Sequence, residues 1–103
     1  MENLDAILEP IKKKVYDILR NPRARVVRIH ISFDFGLRLR AAGETFQKFI
    51  IDGAERHLLG YPCEVHREKF VYVWAVEYQT IIDLSSEKAE LKTVLSGEIQ
   101  EGG

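Results

Sequence analysis

From Arg25 to Ala41 the chain alternates without a break. Val27, Ile29, Ile31, Phe33, Phe35, Leu37, Leu39 and Ala41 share one parity, and Arg28, His30, Ser32, Asp34, Gly36, Arg38 and Arg40 share the other. A period of two describes a half-buried strand, because successive side chains of a strand point to opposite faces of a sheet. Asp34-Phe35-Gly36 has the chemistry of a three-residue loop closed by a left-handed glycine. The segment is therefore expected to fold as a hairpin, with Gly36 at positive φ. In that register Phe33 faces Leu37, Ile31 faces Leu39 and Ile29 faces Ala41. The outer face then gathers Arg28, His30, Ser32, Arg38 and Arg40, with His30 opposite Arg40.

The flanking segments read as follows. Leu4, Ile7, Leu8, Ile11, Val15, Ile18 and Leu19 keep the three-four spacing of one helix face, which predicts a helix over 3–20. Pro10 is expected to start or kink it near Glu9, and Asn21-Pro22 to end it. A second helix is expected over 44–59, with Phe46, Phe49, Ile50, Gly53, Ala54, His57 and Leu58 on one face and Gly60-Tyr61-Pro62 as its stop. Cys63 to His66 begins a strand, Arg67-Glu68-Lys69 a turn, and Phe70 to about Leu84 a strand that is apolar on both parities. Ser85 or Ser86 would cap a third helix that ends before Gly97, with 98–103 as a frayed tail.

The sum is an α+β fold: an antiparallel sheet with helices, in the order α-β-β-α-β-β-α. If 25–41 were one strand, the order would be a ferredoxin-like β-α-β-β-α core after an N-terminal helix. A chain of 103 residues with 46% hydrophobic and 30% charged residues has enough apolar surface for a single domain, 1–103, and excludes disorder. The apolar run Phe70–Val76 is too short to cross a bilayer as a helix. One cysteine and no basic-then-apolar leader point to a cytoplasmic or other intracellular protein, with no membrane partner.

Charge is uneven along the chain. Residues 1–40 carry nine Lys or Arg against five Asp or Glu, and residues 41–103 carry six against eleven. The net charge of −1 and pI near 6.3 lack the footprint of a dedicated nucleic-acid binder. His57, Cys63, His66 and the distant His30 are metal-ligand types, but a lone Cys-x-x-His has no second pair, so no metal and no cofactor are expected. Glu64 and Glu77 are the carboxylates a metal-dependent nuclease would use. With the strands on either side of 67–69 paired as a hairpin, however, the two acids fall ~20 Å apart. No phosphate loop, nucleophile elbow or catalytic dyad appears.

The expectation is thus a non-enzymatic module that works by association. Val71, Val73 and Ala75, on the second parity of the apolar strand, are its interface candidates and a homodimer its favoured assembly. The alternative is a nucleic-acid or anion binder that uses Arg28, His30, Arg38 and Arg40, and the third reading is the nuclease.

Overall fold

The computed structural model describes residues 3–49, 55–83 and 90–101. Its elements are α1 (Leu4–Leu19), β1 (Ala24–Ser32), α2 (Phe33–Ala41), β2 (Gln47–Phe49), β3 (Glu55–Leu58), β4 (Tyr61–His66), β5 (Tyr72–Asp83) and β6 (Glu90–Ile99). The α+β class stands. The six described strands form one mixed sheet in the order β2-β3-β4-β1-β5-β6. β1 lies near its centre, parallel to β4 and antiparallel to β5.

The first helix follows its apolar stripe. The Asn3 side chain caps it by accepting the Asp5 N–H at 2.9 Å, and Ile7, Leu8, Ile11 and Ile18 are buried. Pro10 sits inside the helix rather than at its start. Burial on both sides of it, at Ile7 and Leu8 and again at Ile11, holds the turn together against a proline cost of ~3 kcal/mol.

The expected hairpin at 25–41 is not formed. Its first half is β1; its second half is α2. Ser32 Oγ accepts the Phe35 N–H at 3.2 Å, Asp34 lies in the first helical turn, and Arg38 and Arg40 lie in the last. These charges complement the helix dipole. Phe35, Gly36 and Leu39 turn inward, while Phe33 and Leu37 face solvent. Gly36 is helical, so positive φ there and the Phe33–Leu37 register both fall. Arg28 on β1 is separated from Arg38 and Arg40 on α2, and the predicted arginine face of a single hairpin does not exist.

The second expected helix is replaced by strands. β2 pairs with β3, and β3 with β4, both antiparallel. Leu59 and Gly60 have φ of 55° and 84°. Two consecutive left-handed residues make the tight turn that suits a twisted hairpin, so Gly60 serves a turn and not a helix stop. Residues 50–54, with Gly53 and Ala54, lie outside the described residues.

Of the third expected helix, residues 84–89 lie outside the described residues and Glu90 to Gly97 belong to β6. A Cβ on Gly97 would collide with the Trp74 carbonyl oxygen, so the close approach of β6 to β5 admits only glycine here. Glu98 and Ile99 continue β6, and the Gln100 N–H donates to Val71 O at 2.8 Å, which ties down part of the expected tail.

Both helices pack on one face of the sheet, against Ile29, Ile31, Val65 and Val76. A bulge at Val27 in β1 lets Val26 also turn into this core. The opposite face carries Arg28, His30, Glu64, His66 and Glu77 and has no helix over it among the described residues. No described helix is long and apolar enough to cross a membrane.

Candidate metal centre

The strand order brings together groups that are distant in sequence. Register places His30 beside Glu64 and Ser32 beside His66 across the β1–β4 pair, and Arg28 beside Glu77 across the β1–β5 pair. β1 therefore lies between the two carboxylates that a β4–β5 hairpin would have held far apart.

His30 is the hub. Its residue is 7% exposed, and both ring nitrogens have partners. Nε2 lies 2.7 Å from Glu77 Oε1, and Nδ1 lies 2.9 Å from His66 Nε2 and 3.6 Å from Glu64 Oε2. A carboxylate only accepts, so Nε2 carries the proton and donates to Glu77. In the neutral ring this leaves a lone pair on Nδ1, directed at His66 and Glu64. Arg28 Nη1 stands 3.5 Å from Glu64 Oε2 and restrains that half-exposed carboxylate.

His66 is held from the other side. Its ring stacks on Phe70 at 3.9 Å with an interplanar angle of 5°, and Phe70 also leans over His30 at 6.3 Å. Burial lowers the His66 pKa below the usual histidine value, nearby Glu64 opposes that shift, and His30 adds to it. In the hydrogen bond between the two rings His66 Nε2 donates to His30 Nδ1, and a cation at this point would take the place of that proton.

One donor atom from each of His30, Glu64 and His66 fits within 4.8 Å of the others. Two imidazole nitrogens bound to one transition metal at ~2.0–2.1 Å sit about 2.9–3.4 Å apart, and the pair here is at 2.9 Å. The remote nitrogen of a metal-bound histidine commonly donates to a carboxylate, which fixes the tautomer and raises ligand basicity, and Glu77 occupies that position on His30.

The other sequence candidates are elsewhere. Cys63 shares the parity of Ile29 and points into the core, where burial pushes its thiol up to about 12. His57 is buried on β3. Arg38 and Arg40 belong to α2. Of the interface candidates, Val71 is exposed, Val73 half-buried and Ala75 fully buried. Spacing along the chain sets Glu64 and Glu77 ~20 Å apart and groups His66 with His57 and Cys63, whereas the fold brings Glu64, Glu77 and His66 together around His30. The signal that unites them, a shared neighbour on β1, exists only once strand order is known.

A cavity of about 380 Å³ opens beside His66, lined by Ser32, Phe33, Arg67, Lys69 and Phe70 among others. No family model matches the chain, and neither a curated protein nor a solved structure resembles it to a significant degree.

Proposed function

We propose that this protein is a metal-dependent hydrolase with a mononuclear centre, in which His30 Nδ1, His66 Nε2 and a Glu64 oxygen hold one divalent transition-metal ion. The observation that carries the reading is the convergence of those three donors with Glu77 behind His30. Two histidines and a carboxylate suit zinc, manganese or iron rather than calcium or magnesium, which prefer all-oxygen shells. Three protein ligands leave room for water, and a bound cation of this kind makes water a nucleophile at neutral pH. The chain's own part is to orient: Glu77 sets the His30 tautomer, Phe70 fixes the plane of His66, and Arg28 aims Glu64.

The test is titration calorimetry of the metal-stripped protein with Zn²⁺ and Mn²⁺, together with the visible spectrum of a Co²⁺ form. One ion per chain is expected, lost in His30→Ala and His66→Ala. Glu77→Gln should weaken binding by about 10–100-fold, as loss of an outer partner does. Stoichiometric binding that survives His30→Ala would place the ion elsewhere and refute the site.

A second reading is self-association, and β6 favours it. β6 ends the sheet, and Leu91, Leu95 and Ile99 on its one parity are 40–61% exposed. An exposed apolar edge strand is a template for pairing with another chain. The exposed apolar side chains that support it lie on β6 and at Val71, whereas Val73 is half-buried and Ala75 fully buried. Sedimentation of the wild type beside Leu95→Lys tests it: a dimer that the substitution dissociates is expected, and a wild-type monomer at micromolar concentration ends the reading.

A further inference from the structure

We infer that the substrate of the proposed metal centre is a nucleic-acid strand, whose phosphodiester is cut beside His66 while flanking phosphates lie along an arginine-lined groove. This rests on the metal-dependent hydrolase reading and adds the substrate class to it.

The groove is a second cavity of about 150 Å³ that shares Phe33 and Arg67 with the one beside His66. Arg40 from α2, Arg56 from β3 and Arg67 from the turn after β4 all line it, and Lys69 lines the first cavity. Three elements thus direct cations at a depression on the helix-bearing side of the sheet, which meets the cavity beside His66 at Phe33 and Arg67, so a strand bound to both would pass round the end of β1 and β4. Among the described residues, Asp34 and Glu68 are the acids that line the first cavity, and no acid lines the second. Among the described residues, no carboxylate lies within ion-pair distance of Arg40, Arg56, Arg67 or Lys69.

Two of these arginines lie over aromatic rings. The Arg40 guanidinium lies 5.8 Å from the centre of the Phe46 ring, and that of Arg67 lies 6.0 Å from the centre of the Phe33 ring. Stacking against a ring leaves the guanidinium edge available for the forked hydrogen bonds that phosphate accepts. Phe33 is 42% exposed at the junction of the two cavities, a place where a base can stack. A small phosphate ester needs one or two such cations. A row that leads away from the metal ligands over a shared aromatic residue matches a chain of phosphates. The near-neutral whole chain agrees with this, since an enzyme that releases its product needs a local cationic track and not a strongly basic body.

The reaction balances with water as the only co-reactant. Water adds to phosphorus and one P–O ester bond breaks. The departing oxygen leaves as an alcohol with one of the water's protons, and the new phosphomonoester releases the other to the buffer. Nothing is oxidised or reduced.

The experiment uses the full chain loaded with Mn²⁺ or Zn²⁺ and short fluorescein-labelled single-stranded DNA and RNA. Binding is read by anisotropy across a salt series and cleavage by gel. The variants are the Arg40→Ala/Arg56→Ala/Arg67→Ala combination and His66→Ala, with Arg67→Ala alone as the milder substitution should the triple variant fail to fold. Wild type is expected to bind at low salt and to cut only with metal. Each lost phosphate contact flattens the logarithmic salt slope by about 0.7, so the triple variant should lose about 2 from it and Arg67→Ala about 0.7. Calorimetric metal uptake should stay unchanged in both arginine variants. His66→Ala should bind strand but not cut it. Cutting of DNA, RNA or both supports the inference and identifies the sugar accepted. Metal uptake without strand binding, or a salt slope untouched by the arginine substitutions, overturns it and leaves the hydrolase reading standing. Absence of metal uptake overturns that reading and this inference together. Cleavage that persists in His66→Ala belongs to a contaminant and overturns the inference as well.

Discussion

β1 and α2 are successive halves of one alternating stretch, yet the first is a strand and the second a helix. The difference lies in what alternation leaves undetermined. A period of two also contains every i, i+4 spacing, so Phe35 and Leu39 lie on one helical face as well as on one strand face. Within α2, Phe35 and Leu39 of the apolar parity are buried, and Phe33, Leu37 and Ala41 are exposed. In β1, by contrast, Ile29 and Ile31 are both fully buried. Local chemistry decides between the two. Ser32 satisfies an orphan N–H at the helix start, Asp34 adds a negative charge there, and Arg38 and Arg40 place positive charge at the end. Alternation proposes a strand, and caps can overrule it.

The widest separation between these alternatives comes from a pair of substitutions in α2. Leu39→Ala should cost about 2–5 kcal/mol, since its side chain is fully buried, while Leu37→Ala should stay within about 0.5 kcal/mol. A strand over 33–41 would make the two costs similar. Chemical denaturation of both variants reads the difference.

The junction itself gives a smaller effect. Ser32→Ala should destabilise by ~1 kcal/mol through loss of the cap, with a drop in far-ultraviolet helical signal near the transition. Equal stability in the variant would mean that α2 does not depend on Ser32.

The smallest effect is informative by its sign. Gly36→Ala would place a Cβ at 3.5 Å from Ile31 Cδ1, an ordinary contact. The change should stabilise by ~0.5–1 kcal/mol through helix propensity and a less flexible unfolded chain. A glycine in a hairpin turn at positive φ would respond in the opposite direction. A lowered melting temperature would therefore count against the helix.

The pattern of what could be read from the residues follows the same logic. α1, β4 and β5 are legible because stripe, length and flanking residues agree. β2 and β3 are hidden in a segment whose apolar residues also suit a helix, and Leu59-Gly60 resembles a helix stop as closely as a hairpin turn. Glu90 to Ile99 offers weak alternation, and the requirement for glycine at position 97 appears only when β6 lies against Trp74. For the candidate site, His30 and His66 are recognisable as ligand types. Their convergence is not, because β4 and β5 look like adjacent arms of a hairpin, and nothing local shows that β1 inserts between them.

The central position of β1 also bears on how the molecule reaches its native state. His30 meets His66 across 36 residues of chain and Glu77 across 47. Neither meeting can occur until long loops have closed, and contacts of such sequence separation slow the search for the native fold. The two histidines and the two glutamates therefore come together only when β1 pairs with both β4 and β5. A cation that recognises the assembled set has no equivalent partner on the unfolded chain, so each ion bound would draw the folding equilibrium towards the finished protein.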